Sequence, residues 1–341
     1  MQGRAANIGD CLFLLFSIYS FQVVIELFFD HGLFMHTPTM EQSVTSGMVA
    51  IVGPPNAGKS TLMNAFLQQK ISIVSPKPQT TRNRIAGIVN GDDFQIVFLD
   101  TPGLHRSREA LNMEMVRIAL DSLAGVDLVL FLMDVSLPVP EKVRQEREEE
   151  LAGYLAEVKS PALLVLNKVD LVDRKKLLPL IAAYEKLFPF QEIIPVSAKT
   201  EDGLPLLQQE IIKRLPQGPR YFPEDIPTDA SERFLSGEII REKVFLLTGE
   251  EIPYSTAVII ESFKEDDKRG VVMIHAAIVL ERQSQKGIVI GKGGRKLKSI
   301  GTAARRDIEQ LLGTKVFLKL WVKVKKNWSK DSHFLKEYGL I

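Results

Sequence analysis

The sequence holds one cysteine in 341 residues, Cys11, so no internal disulfide framework can brace the fold, and a reducing compartment suits it. Histidine is scarce too: five copies, with His105 and His275 at no ligand spacing from each other or from the cysteine. No zinc site is therefore expected. Net charge is almost nil, with 43 Lys/Arg against 42 Asp/Glu. Internal repeats and low-complexity tracts are missing, which excludes solenoids and arrays. What remains is 45% hydrophobic and 25% charged, the composition of an ordinary globular chain, and its length suits two domains.

Long apolar runs are confined to one place. CLFLLFSIYSFQVVIELFF, residues 11–29, is interrupted only by Gln22 and Glu26. It approaches the length that spans a bilayer. Against that, only Arg4 precedes it, no small-residue cleavage site follows, and Glu26 would sit within lipid. Residues 1–47 are read as an N-terminal extension, with translation from Met40 or Met48 as the expectation for a protein whose first strand follows directly. A membrane anchor or an interfacial segment is the alternative.

Charge is scarce only in sum. Residues 282–341 hold fifteen Lys/Arg and four Asp/Glu, an excess of +11, which leaves −10 for the other 281 residues. The C-terminal end is thus a candidate face for a polyanion.

From Met48 to Leu215, short apolar runs alternate with amphipathic stretches. MVAIVG, FQIVFLD, DLVLFLMD, ALLVLN and EIIPVS are rich in Val, Ile and Leu with little alternation, as parallel strands covered on both faces are. STLMNAFLQQ and RKKLLPLIAAYEKLF read as helices between them. The expected fold class is a doubly wound, mostly parallel α/β domain over 48–215. LPQGPRYFPEDIPTD, rich in proline, reads as a linker over 216–230. Over 231–341 the order α-β-β-α-α-β is expected, opening with a helix capped by Ser231 and carrying Glu232 in its first turn.

Four stretches in the first domain end strands and carry chemistry. GPPNAGKST, residues 53–61, has the P-loop spacing Gly53-x-x-x-x-Gly58-Lys59-Ser60 between strand and helix. Its glycines let backbone N–H groups turn towards phosphate oxygens, and a helix N-terminus adds positive potential. Lys59 is the candidate for the β and γ phosphates and Ser60 for Mg²⁺. Pro54, Pro55, Asn56, Ala57 and Thr61 complete the loop. Asp100-Thr101-Pro102-Gly103 ends the second run, with Asp100 placed for Mg²⁺ and the Gly103 N–H for the γ phosphate. Asn167-Lys168-Val169-Asp170 decides the base. Guanine offers two adjacent donors, N1–H and the 2-amino group, to the Asp170 carboxylate. Adenine offers neither and would leave the carboxylate unpaired. Asn167 is expected at the base's other edge and the Lys168 stem over its face. Ser197-Ala198-Lys199 is expected to give a backbone N–H to the guanine O6.

These motifs resemble a translation-factor-class GTPase domain, and with KPQTTRNRI and DTPGLH the chain resembles the Era family. The resemblance implies GTP and GDP as ligands and Thr81 as the switch threonine closing onto Mg²⁺ and the γ phosphate, with Thr80 the alternative. It assigns catalysis to Lys59, Asn56 and Thr81. Asn56 stands where related GTPases hold K⁺, so stimulation by K⁺ is expected. Leu104 stands where many small GTPases carry the glutamine that orients water, so slow hydrolysis is expected without a helper. Pro54 and Ala57 depart from the residues common in this loop, but neither side chain is needed for phosphate contact.

In the second domain, Gly291-Lys292-Gly293-Gly294 lies between helical stretches. A GxxG loop there is the device by which a type II KH domain clamps about four single-stranded nucleotides. Lys286, Lys292, Arg295, Lys296 and Lys298 supply charge, and Ile288, Val289 and Ile290 are expected to line the base groove. Lys323, Lys325, Lys326, Trp321 and Trp328 read as scaffold and phosphate contacts. YFPEDIPTD, SGEIIREK, VIGKGG and LWVKVK also resemble Era, and the likeness runs over about residues 48–339. It implies a monomeric cytoplasmic GTPase that binds the 3′ end of small-subunit ribosomal RNA and assists maturation of the 30S subunit. The rival reading is a membrane-associated switch anchored by residues 11–29, with the basic domain on anionic lipid at the inner face of the membrane.

Overall fold

The computed structural model describes residues 43–341, apart from 76, 78–79, 104–109, 137–152, 154–158, 186–187, 250–251, 253–254, 267 and 338–341. The apolar run 11–29, Met40, Leu104 and His105 lie outside the described residues.

Strand β1 (Val44–Val52) leads through the glycine-rich loop into helix α1 (Lys59–Leu67). Strands β2 (Ile85–Asn90), β3 (Phe94–Asp100), β4 (Leu128–Asp134), β5 (Ala162–Asn167) and β6 (Glu192–Val196) complete a sheet in the order β2-β3-β1-β4-β5-β6. Along this path all neighbours run parallel except β2, which forms an antiparallel pair with β3. Helices α2 (Ala110–Asp121), α3 (Leu177–Tyr184) and α4 (Leu204–Ile212) fall between strands. The absence of polar alternation now has its reason. Val49, Ile51, Leu130 and Val165 pack under Leu62, Leu207 and Ile211, while their neighbours Ala50, Val52, Phe131 and Leu166 pack under Ala119, Leu123 and Tyr184. Both faces of the sheet are core.

Two strands were not anticipated. β2 is a short run directly after the basic stretch 77–84. β7 (Gln217–Gly218) pairs antiparallel with Val44 and Thr45 at the start of β1, ahead of Met48. The segment expected as a linker is bonded along the sheet. The Gln95 amide oxygen accepts from the N–H groups of Tyr221 and Phe222, at 2.6 and 3.0 Å. The Arg220 guanidinium donates to the carbonyls of Gly91, Asp92 and Phe94. Thr228 donates to the Ala86 carbonyl at 2.6 Å.

Helix α5 (Glu232–Leu247) begins as its sequence predicts, with the Phe234 N–H donating to Ser231 Oγ. Strands β8 (Thr256–Asp266) and β9 (Val271–Leu280) pair antiparallel. Helices α6 (Gln283–Ile290) and α7 (Arg295–Leu312) precede β10 (Lys315–Val324), which runs parallel to β9 at the edge of the sheet β10-β9-β8. Val272, Ile274, Ala276 and Ile278 meet Ile239, Ile240, Val289, Ile300, Ala304 and Ile308 on the helical side. Helix α8 (Ser332–Glu337) closes the described chain. The α-β-β-α-α-β order is that of a type II KH domain. Among the described residues, no helix is long and apolar enough to cross a membrane, and no cluster of three or more His, Cys, Asp or Glu could hold a metal ion.

Candidate functional site: a nucleotide cleft and a nucleic-acid groove

The loop between β1 and α1 depends on two glycines. Gly53 has φ +145°, and a Cβ there would fall 2.3 Å from the Leu132 carbonyl oxygen. Gly58 has φ +98°, and its Cβ would fall 2.3 Å from Asn167 Nδ2. The loop thus lies too close to β4 and to Asn167 for any side chain at those positions. Lys59 is buried and donates from Nζ to the carbonyls of Gly53 and Pro54, each at 3.0 Å. Burial lowers its pKa to about 8 against the opposing pull of Asp100. The ammonium is therefore preorganised over the loop, short of compensating negative charge. Pro55, Asn56, Gly58, Ser60, Thr61 and Gly103 line a cleft of about 480 Å³ above it.

Four oxygen-bearing side chains, Ser60, Ser72, Thr81 and Asp100, converge beside Lys59. Ser60 Oγ donates to Asp100 Oδ2 at 2.7 Å and lies 2.9 Å from Thr81 Oγ1. Ser72 Oγ, which sequence reasoning missed, donates to the same Oδ2 at 2.6 Å. Asp100 is fully buried, and its other oxygen, Oδ1, has no hydrogen-bond partner. Burial raises the Asp100 carboxyl, opposed by the bonds from Ser72 and Ser60 and by Lys59. An unpartnered carboxylate oxygen next to two hydroxyls is a hard-oxygen donor set that fits Mg²⁺. When bound, that ion would neutralise charge on the phosphates.

The remaining motif residues divide. Thr101 donates to the Ile51 carbonyl at 2.8 Å and is buried, so it ties β3 to β1 and does not face the cleft; Pro102 is buried beside it. A Cβ on Gly103 would fall 2.9 Å from the Pro55 backbone, so the two loops touch. Asn167 has ties within the fold that its motif did not announce. Its amide donates to the Ala57 carbonyl at 2.7 Å and accepts from the Ala198 N–H at 2.9 Å. It is 2% exposed and links three loops. Of the stretch Ser197-Ala198-Lys199, the Ala198 N–H is held by this bond, Ser197 is buried and Lys199 is exposed. Asp170 lies in the short turn Val169–Leu171 with its side chain exposed, free of the fold's own bonding. Lys168 has φ +68° and an ion pair with Asp134 at 2.5 Å. Asp134 itself went unnoticed in the sequence. Burial pushes its carboxyl up, but bonds from Lys168 and Ser136 together hold it below the usual range.

In the second domain the GxxG loop joins α6 to α7. Gly291 has φ +70°, and a Cβ there would meet Lys296 Cβ at 2.7 Å. Gly293 and Gly294 have φ +60° and +74°. Lys292, Arg295 and Lys298 are exposed, and Lys286 and Lys296 half-buried. Beside the loop lies a groove of about 360 Å³, lined among others by Gly294, Leu297, Lys298, Arg305, Leu318 and Leu320. This corrects the expected lining. Val289 is fully buried in the core and Ile290 packs against it, while Ile288 is half-exposed. The period-two pattern of KVFLKLWVKV, which sets Leu318 and Leu320 on one side, was the available signal. Trp328 is scaffold as expected, buried with Nε1 donating to the Ser255 carbonyl at 3.1 Å.

A set of polar contacts that no motif announced joins the two domains. Lys77 Nζ donates to the carbonyls of Phe245 and Thr248 at 2.6 and 2.8 Å, at the C-terminus of α5. Arg241 donates to the Thr80 carbonyl, and Arg82 to the Thr256 carbonyl at 2.8 Å. Glu242, 2% exposed, accepts from Lys70 at 2.6 Å and from the Val74 N–H at 3.0 Å. Burial drives its carboxyl up, yet bonds from Lys243, Lys70 and Val74 bring it below the ordinary value.

Fold and site define a P-loop GTPase module joined to a KH module. The profile described as 50S ribosome-binding GTPase matches residues 48–168, and the KH domain profile matches residues 251–329. The chain is 54% identical over 294 residues to the GTPase Era of Geobacter metallireducens, covering 86% of this chain and 97% of that one. It is 53% identical to the GTPase Era of Geotalea daltonii, covering 88% and 99%. Among solved structures it is similar to a point variant of Aquifex aeolicus Era bound to GDP·AlF4⁻, with 40% identity, TM-score 0.82, and 87% and 99% of the two chains covered. An Era complex with MgGDPNP and nucleotides 1506–1542 of 16S ribosomal RNA gives 41% identity and the same TM-score and coverage. The chain belongs to the Era family of GTPases. It is a GTP hydrolase that works with GTP, GDP and Mg²⁺.

Proposed function

We propose that this GTPase binds the 3′ end of 16S ribosomal RNA through its KH groove and assists assembly and maturation of the 30S subunit, acting as a monomer in the cytoplasm. The profile over 48–168 carries a 50S description, but the RNA held by the 41%-identical Era is small-subunit RNA, and that relative extends over the KH half as well. The observation that carries the reading is the segment Thr80–Arg82. Its middle residue faces the Mg²⁺ donor set, and its two neighbours are bonded to α5 and β8 of the KH domain. Loss of the γ phosphate releases such segments in GTPases, so hydrolysis would loosen the KH domain's hold on its partner.

Measurement of RNA affinity with a GTP analogue, with GDP and without nucleotide tests this. Different affinities for an oligonucleotide matching the 16S 3′ end are expected, together with weak binding of a scrambled one. Equal affinities in all three states would refute the coupling. Catalysis is assigned to Lys59, Asn56 and Thr81. Asn56, at φ +63° on the wall of the cleft, is assigned to K⁺ beside the phosphates. Hydrolysis should run faster in K⁺ than in Na⁺ at equal ionic strength, and Asn56→Ala should abolish the difference.

A further inference from the structure

The three-stranded sheet of the KH domain carries α5, α6 and α7 on one face only. On the other face, Met115 of α2 together with Trp328, Phe334 and Leu335 packs over Ala257, Ala277 and Val279, at one end of the strands. The opposite end is different. Strand register puts Lys264, Met273 and Phe317 in one row and Ser262, His275 and Lys319 in the next. Val272, Ile274, Val316 and Leu318 point into the helical core, so Met273, His275, Phe317 and Lys319 point the other way. Phe317 is 52% exposed, and Lys264 and Lys319 are exposed beside it. One row on, Trp321 meets the His275 ring at 6.0 Å and 65°, and Lys323 Nζ stands 6.0 Å from the Trp321 ring. Glu261, the nearby carboxylate, is already paired with Lys323 at 2.6 Å.

An exposed aromatic ring flanked by lysines has the chemistry of a single-stranded nucleic-acid platform. Bases of any identity stack on the ring, and phosphates meet the cations. Position adds to chemistry. Strand β10 is the sheet edge, and the same strand that gives Leu318 and Leu320 to the groove gives Phe317, Lys319 and Trp321 to this outer face. A GxxG clamp holds only about four nucleotides. RNA continuing past the clamp can turn over one strand and arrive here.

We propose that this outer face, centred on Phe317 and Lys319, is a second contact surface for single-stranded RNA, holding nucleotides that run on beyond the GxxG groove. The proposal rests on the RNA reading of that groove. A protein partner would suit the aromatic rings but gives no role to the lysine rows.

Two RNAs separate the possibilities: one of about six nucleotides that fills the groove, and one of about twenty carrying the same six at one end. The double substitution Phe317→Ala with Lys319→Glu should leave the short RNA bound as before and weaken the long one by about tenfold. Retained short-RNA binding is also the control for folding. Gly293→Asp in the clamp should weaken both. Unchanged long-RNA affinity in the double variant overturns the proposal, leaves the groove reading standing, and favours a protein occupant. Equal loss on both RNAs also overturns it, because the residues would then support the groove itself. Failure of the unsubstituted protein to bind either RNA removes the groove reading and the proposal together.

Discussion

Thr80 gives its carbonyl oxygen to the Arg241 guanidinium of the KH domain, while the next residue, Thr81, holds its hydroxyl 2.9 Å from Ser60 at the Mg²⁺ donor set. One peptide unit therefore separates the Ser60–Thr81–Asp100 oxygen cluster from the KH domain. Lys77 strengthens the join, since its ammonium sits on the last carbonyls of α5, where the helix dipole favours a cation. Lys77→Ala removes these bonds without touching the cleft. The expected result is a smaller gap between RNA affinities in the GTP-analogue and GDP states, with GTP affinity itself unchanged. Filter binding or anisotropy in the two states checks it.

Asp170 is assigned to the base and Asp134 pairs with its neighbour Lys168, so substitutions at the two should fail differently. Asp170→Asn exchanges an acceptor for a donor opposite guanine. GTP should weaken by roughly 10⁴, with xanthosine triphosphate preferred. Asp134 pairs with Lys168, so its substitution should act through that lysine and not through a change of acceptor opposite the base. Asp134→Asn should weaken guanine and xanthine nucleotides alike, by less than about tenfold, because the pair is partly exposed. Competition binding with the two nucleotides separates the effects.

The low pKa of Lys59, about 8, makes nucleotide binding pH-dependent. Triphosphate charge favours the ammonium, so the pKa rises on binding and a proton is taken up. GTP affinity should be full below pH 8 and fall above it. The free protein behaves oppositely: between about 8 and the ordinary lysine value the unfolded chain binds more protons, so stability rises with pH across that window. Calorimetry in buffers of different ionisation enthalpy reads the proton uptake, and denaturation at the same pH values reads the stability.

Gly58→Ala would drive a Cβ to 2.3 Å from Asn167 Nδ2 at φ +98°. Backbone strain alone costs about 1–3 kcal/mol, and the displaced amide would lose its ties to Ala57 and Ala198. A lower melting temperature and a larger loss of GTP affinity are expected, checked by melts with and without GTP.

Buried strands and glycine-spaced loops were legible because each has a local cause. A parallel strand covered on both faces must be apolar throughout, and a phosphate loop must carry glycine where a side chain would strike Leu132 or Asn167. Tertiary partnerships were not legible. The ties of Asn167 to Ala57 and Ala198 are nowhere announced by its motif. β2 escaped because its pairing with β3 follows a basic stretch that reads only as a loop. Groove walls at Leu318 and Leu320 depend on which face of β10 meets α7. Asp134, Lys77 and Glu242 have distant partners, 34 to 172 positions away, beyond any periodicity.

The strapping of residues 217–229 along β1, β2 and β3 has a mechanical side. A tug on the C-terminal half is delivered to the strand that begins just after Thr81, not absorbed by slack chain. If nucleotide state changes the affinity for cargo in the groove, reciprocity requires that bound cargo change the preference for GTP over GDP by the same factor.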